Sequence, residues 1–160
     1  MEGYKVGIVL DTSALFKLFY EEKNSDKMDA LMEIMIKHGE SVYSIDLILY
    51  ELGQIMITKH RMKAVMARDF PQRLSALNIN IQFPDDFFLR SAMDVGKKLD
   101  TTFYDSCFIA ISERLDLPLI TEDNDILKKF PGSMSISQAY DKFSKMFMSN
   151  STLHEQDPVK

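Results

Sequence analysis

Short runs with strand character alternate along this chain with longer stretches whose apolar residues recur at helical spacing, and few folds satisfy that order. The runs are Val6–Leu10, Ser41–Ile45, Ile79–Phe83, Leu119–Thr121 and Met134–Ser137, mostly bounded by turn or cap residues. The first reads VGIVL without a polar residue, which predicts a strand covered on both faces, as parallel sheets require. Helices are expected over SALFKLFYEE, with Thr12 or Ser13 as N-cap, and over SDKMDALMEIMIKHG, ending at Gly39. A long helical region from Leu47 to Leu77 should break near TKHRM and bend at Pro71. DDFFLRSAMDVGKKL and TTFYDSCFIAISERLDL complete the set. This alternation predicts an α/β fold, a three-layer α/β/α sandwich around a mostly parallel sheet of about five strands.

The chain's 160 residues fit one domain able to bury a real core. That domain is expected over residues 1–147, followed by a polar, mobile tail over 148–160 (MSNSTLHEQDPVK). Met28, Met32 and Met35 form a stripe for which core or dimer packing is the commoner reading, with a partner-binding face as the alternative. Phe87 and Phe88 read as exposed aromatics that hint at a protein interface. A lone cysteine, Cys107, cannot form an internal disulfide and reads as a small buried thiol. His38, His60 and His154 are too scattered for a zinc site. MEGYKVGIVLD is too short in apolar residues for a signal peptide, and no later run approaches a membrane span. The protein is therefore read as cytoplasmic, with no membrane partner.

The segment PLITEDNDIL places Glu122, Asp123 and Asp125 directly after an apolar run. Ligands of an open parallel sheet bind in the crevice outside the carboxyl ends of its strands. Asp11 ends the first strand and Asp123 lies just beyond the fourth, so two strands deliver acids to one rim. Glu51 lies in the helix after the second strand. Asp105 opens a helix that is otherwise apolar for two turns, on the side of Phe108, Ile109 and Ser112. No Arg or Lys stands three or four residues away, and a carboxylate on such a face is costly unless a cation or metal partners it. Taken singly, Asp11 could be a helix cap, Asp123 a turn residue and Glu51 a solvated side chain. Together, converging acids need raised pKa values or a divalent ion between them. Carboxylate ligands without thiolates favour Mg²⁺ or Mn²⁺, ions suited to phosphoryl chemistry. No GxxxxGK[ST] or GxGxxG motif is present, and a haloacid-dehalogenase-type phosphatase would need Asp where Ser13 stands.

The elements VLDTSAL (9–15), LILYEL (47–52) and TTFYDSCFIAISERLDLPLITEDNDIL (101–127), in this order, resemble a PIN-domain ribonuclease, and more narrowly the VapC-type toxins. The resemblance implies that Asp11, Glu51, Asp105 and Asp123 bind Mg²⁺ or Mn²⁺ and carry catalysis. It also implies a supporting hydroxyl from Ser13 or Thr121; Asp125 has no firm counterpart and reads as an outer ligand or a helix cap. Implied with it are endonucleolytic cleavage of single-stranded RNA, a small antitoxin as partner and a homodimer. A PIN nuclease of RNA processing without an antitoxin, or a non-catalytic interaction module, are the alternatives. The net charge of −5 sits awkwardly with an RNA substrate. Between Lys59 and Arg73, five basic residues face only Asp69, and Lys59, Arg61 and Lys63 are the candidate RNA contacts. A solvated helix face is the commoner reading of that strip, and an antitoxin or dimer face is a further one.

Overall fold

The computed structural model describes residues 6–59 and 63–151. Five short strands, β1 (Gly7–Leu10), β2 (Ser41–Ile45), β3 (Asn80–Gln82), β4 (Leu119–Ile120) and β5 (Ser133–Met134), form one sheet in the order β3-β2-β1-β4-β5. Every pairing is parallel, with Ile8 opposite Val42 and Leu10 opposite Ile120. All four residues of β1 are buried, which is the double covering its unbroken apolar run predicts. The fold is α/β, with helices on both faces of the sheet as expected.

Helices fill the crossovers: α1 (Thr12–Leu15), running on into a 3₁₀ turn at Phe16–Leu18, α2 (Ser25–Lys37), α3 (Leu47–Thr58) and α4 (Ala64–Ala76). They continue with α5 (Asp86–Leu99), α6 (Phe103–Leu115), α7 (Asn124–Lys129) and α8 (Ile136–Ser151). α5 packs along α6, and α2 along α8. The methionine stripe of α2 belongs to the core, with Met28 and Met35 fully buried and Met32 nearly so. Cys107 is buried too, and burial pushes its thiol up to about 11. Pro71 lies inside α4, where it follows the helix rather than ending it.

Four sequence expectations need correction. The first helix is capped by neither Thr12 nor Ser13 but by Asp11, whose carboxylate accepts from the Ala14 N–H. The fifth strand stops at Met134. Ser135 and Gln138 form a reciprocal capping box, Ser135 N–H to Gln138 Oε1 at 2.9 Å and Gln138 N–H to Ser135 Oγ at 3.2 Å, so Ile136 and Ser137 start α8 instead. That helix runs to Ser151, four residues into the segment read as tail; residues 152–160 lie outside the described residues. Phe88 is buried in the core, while its neighbour Phe87 is exposed. Among the described residues no helix is long and apolar enough to cross a membrane.

Candidate active site

The strand order reverses direction between β1 and β4, and a crevice opens at the carboxyl ends of strands at such a switch point. Here it is a cavity of about 760 Å³, within the range of small-ligand sites. Asp11, Glu51, Asp105 and Asp123 all line it, contributed by the end of β1, α3, α6 and the turn after β4. Phe16, Leu47, Tyr50, Ile55, Tyr104 and Phe108 supply the apolar and aromatic part of the wall.

Asp11 is the buried member of the set, 4% exposed. Ser13 Oγ donates to its Oδ1 at 2.8 Å, the Ala14 N–H to the same oxygen at 2.9 Å, and Thr121 Oγ1 to its Oδ2. Both hydroxyls are themselves held by backbone amides, Ser13 Oγ by the Glu122 N–H at 2.8 Å and Thr121 Oγ1 by the Asp123 N–H at 2.9 Å. Each hydroxyl accepts from an amide and can give its proton to Asp11, and the two hydroxyls lie 3.3 Å apart. Burial nevertheless raises Asp11 from 3.8 to about 6; the three hydrogen bonds oppose that shift and the charge of Asp123 adds to it.

Glu51 accepts a hydrogen bond from Thr12 Oγ1 at Oε2. It is also held above the ordinary carboxylate range, first by burial, against the Thr12 bond, and then by the charge of Asp105. Asp105 takes Thr102 Oγ1 at 2.7 Å on Oδ2, and Thr102 in turn caps α6 through the Asp105 N–H at 3.1 Å. Asp123 caps α7, accepting from the Asp125 N–H at 2.7 Å and the Ile126 N–H at 3.1 Å. Asp11 is thus a helix cap, Asp123 is a cap rather than the expected turn residue, and both line the cavity.

None of the four acids is ion-paired among the described residues. The cavity's two lysines turn instead to Glu22, Lys17 at 2.8 Å and Lys59 at 3.5 Å. Among the described residues no three His, Cys, Asp or Glu side chains make a ready-formed cation cage, so the site is a rim of carboxylates coupled as two pairs, Asp11 with Asp123 and Glu51 with Asp105. Acceptor-only oxygens without cationic partners fit a hard divalent ion. Six acids and two lysines line the cavity, a formal −4, which leaves only −1 of the chain's −5 for everything else. The acidity that weighed against an RNA substrate is therefore concentrated at the site.

Other expected residues fall elsewhere. Asp125 is not in the cavity wall; it pairs with Lys129 at 2.8 Å, one helical turn on. Of the basic strip, Lys59 lines the cavity, Lys63 is an exposed residue at the start of α4 outside its wall, and Arg61 lies outside the described residues. Arg73 is committed to the fold, donating to the Leu18 carbonyl at 3.0 Å over the ring of Phe19. Lys17 and Glu22, brought there by the turn after α1, and Thr12, the first residue of α1, join the wall without having been anticipated.

A family model described as PIN domain matches residues 8–133. The chain is 29% identical over 135 residues to "Exonuclease VapC9" of Pyrobaculum aerophilum, covering 82% of this chain and 91% of that relative. It is 24% identical over 132 residues to "Ribonuclease VapC3" of the same organism, covering 78% and 95%. A crystal structure of a Pyrobaculum aerophilum protein superposes with a TM-score of 0.66 at 25% identity, over 89% of this chain and 98% of that one. VapBC2 of Rickettsia felis, solved bound to a fragment of promoter DNA, shares the fold at 15% identity, with a TM-score of 0.63 over 81% of this chain and 97% of that one.

Proposed function

The chain belongs to the PIN-domain family, and on that premise we propose that it is a metal-dependent ribonuclease, the toxin of a VapBC-type pair. The observation that carries this reading is the set Asp11, Glu51, Asp105 and Asp123 around one cavity, none of them in a salt bridge among the described residues. The relatives' names, one a ribonuclease and one an exonuclease, support a nuclease of this class.

Asp11, Asp105 and Asp123 would hold Mg²⁺ or Mn²⁺, with Glu51 completing the rim. When bound, the ion supplies neutralisation of the phosphate oxygens and acidification of a water. The chain's own groups do the rest. Ser13 and Thr121 keep the Asp11 carboxylate in one orientation, and Thr102 does the same for Asp105. Thr12 holds Glu51 by Oε2 and leaves Oε1 without a protein partner among the described residues. Held by Thr12 through one oxygen and facing the cavity with the other, Glu51 is the member placed to orient the attacking water and take its proton.

The test is cleavage of single-stranded RNA by the purified chain with Mg²⁺ or Mn²⁺, with EDTA and Asp11→Asn as controls. Cleavage that both controls abolish supports the reading, and cleavage indifferent to both ends it. A circular RNA substrate separates internal cutting, which we expect, from attack at ends. The VapC resemblance and the shared fold of the Rickettsia complex support a small antitoxin as partner, and the resemblance alone implies a second copy of the chain as neighbour. Light scattering of the chain alone, and with the protein encoded beside it, tests both. A chain that remains a fully active monomer in that mixture would favour an RNA-processing nuclease without an antitoxin.

A further inference from the structure

We propose that Lys17 and Lys59 form the wall that binds an RNA phosphate beside the cut, and that Glu22 occupies this wall when RNA is absent. The inference rests on the ribonuclease reading above and names the part of the site that overcomes its own acidity.

Six of the eight charged side chains around the cavity are acids, so a strand entering it meets repulsion from nearly every direction. The two exceptions act as a unit. Lys17 Nζ lies 2.8 Å from Glu22 Oε1, and Lys59 Nζ lies 3.5 Å from Glu22 Oε2. One carboxylate thus bridges two ammonium groups through two oxygens, the arrangement in which a phosphate would be held.

The cations stay when the anion leaves. Lys59 Nζ stands 3.9 Å from the centroid of the Tyr20 ring and 4.3 Å from that of Phe16. Those rings stack on each other at 5.6 Å, and their faces hold the ammonium without help from Glu22. The Lys17 side chain is only 12% exposed, which limits where its ammonium can go. Glu22 is freer: its side chain is 34% exposed and stands between the 3₁₀ turn and α2, before the helix begins at Ser25. Its longer arm, to a Lys59 side chain 30% exposed, adds little stability. With Glu22 in place the wall carries +1, and with Glu22 turned away it carries +2, next to the acids that line the rest of the cavity.

The experiment measures KM and kcat for metal-dependent cleavage of one RNA oligonucleotide over a range of salt. It compares wild type with Lys17→Gln, Lys59→Gln, Lys17→Arg and Glu22→Gln. Lys37→Gln, in the exposed last turn of α2, serves as control. Lys17→Gln and Lys59→Gln should each raise KM several-fold, leave kcat within about twofold, and reduce the salt slope of log(1/KM) by about 0.7. Lys17→Arg should keep the slope. Glu22→Gln should lower KM, the opposite sign from that of a triad that merely braces the fold. Lys37→Gln should change nothing. The proposal is overturned if wild type cleaves while both Gln-for-Lys variants keep its KM and slope. It is equally overturned if Glu22→Gln raises KM as the lysine variants do. A wild type that neither binds nor cleaves RNA would instead fell the ribonuclease reading itself, and this inference with it.

Discussion

Thr121 and Asp11, 110 residues apart in sequence, share a hydrogen bond that ties the end of β4 to the end of β1. The Thr121 hydroxyl accepts from the Asp123 N–H and gives its own proton to the carboxylate, so one side chain positions two of the four acids. Replacing it with the near-isosteric Val removes both bonds and leaves the buried carboxylate short of a donor. Thr121→Val should therefore lose about 1–3 kcal/mol in urea denaturation, and Thr121→Ser most of that less. Equal stability of Thr121→Val and wild type would contradict the bond.

Asp11 keeps its proton to about 6 in the folded chain, against 3.8 for an ordinary aspartate. Between those values the folded form binds more protons than the unfolded one, so stability falls as pH rises through that window and then levels off. The shift corresponds to roughly 3 kcal/mol. In EDTA, the stability of wild type relative to Asp11→Asn should drop by up to about this amount between about pH 4 and pH 7. Mn²⁺ added at neutral pH should return stability to wild type alone. A pH-independent gap between the two proteins would refute the assignment.

Thr102 serves two ends at once, as N-cap of α6 and as donor to Asp105. Thr102→Ala should lower stability by about 1 kcal/mol through the lost cap. It should lower cleavage by roughly 10–100-fold, the usual effect of losing a group that orients a metal ligand. Thr102→Ser keeps the hydroxyl and should keep most of both. Unfolding curves and single-turnover rates on the three proteins would decide it, and an Ala variant with full activity would separate Asp105 from the reaction.

Gly96 allows α5 to lie close on α6. A Cβ there would stand 2.8 Å from Ser106 Oγ, a hydroxyl bound to the Thr102 carbonyl at 2.6 Å. Alanine in a helix ordinarily adds about 1 kcal/mol over glycine, but overpacking costs about 1–3 kcal/mol, so Gly96→Ala should destabilise. Ser106→Ala removes the clashing atom and leaves a Cβ 3.8 Å away. The double variant should recover stability over Gly96→Ala alone. Strictly additive effects in a denaturation cycle would show that the two positions do not meet.

Much of this was legible because it is local. The VGIVL run, the methionine stripe and the inward side of Asp105 follow from periodicity, and the side chains sit where periodicity puts them. Some signals were present and unused. Asp125 and Lys129 stand four residues apart, as a helical ion pair should, and Ser135 and Gln138 spell a capping box before Ile136, Ala139 and Phe143, the buried stripe of α8. Strand propensity at Met134 overrode them. Asp11 could be read as a cap from the sequence, but Thr12 and Ser13 competed for the position, and their hydroxyls are spent on Glu51 and on Asp11 itself. No local pattern announces the Lys17–Glu22–Lys59 bridge, because it depends on how the turn after α1 meets the end of α3.

The central place of β1 has a consequence for how the chain comes into being. On the ribosome, Asp11 and Glu51 emerge early, and β1 can pair with β2 at once. The other neighbour of β1 is β4, which arrives with residues 119–120, and α2 waits for α8, which ends at Ser151. Domains consolidate as their segments leave the tunnel. A nascent chain short of residues 119–120 therefore lacks Asp123 and the β4 neighbour of β1, and with them a complete cavity. The strand order thus leaves the cavity to be completed only when β4 has joined β1, late in the chain's emergence.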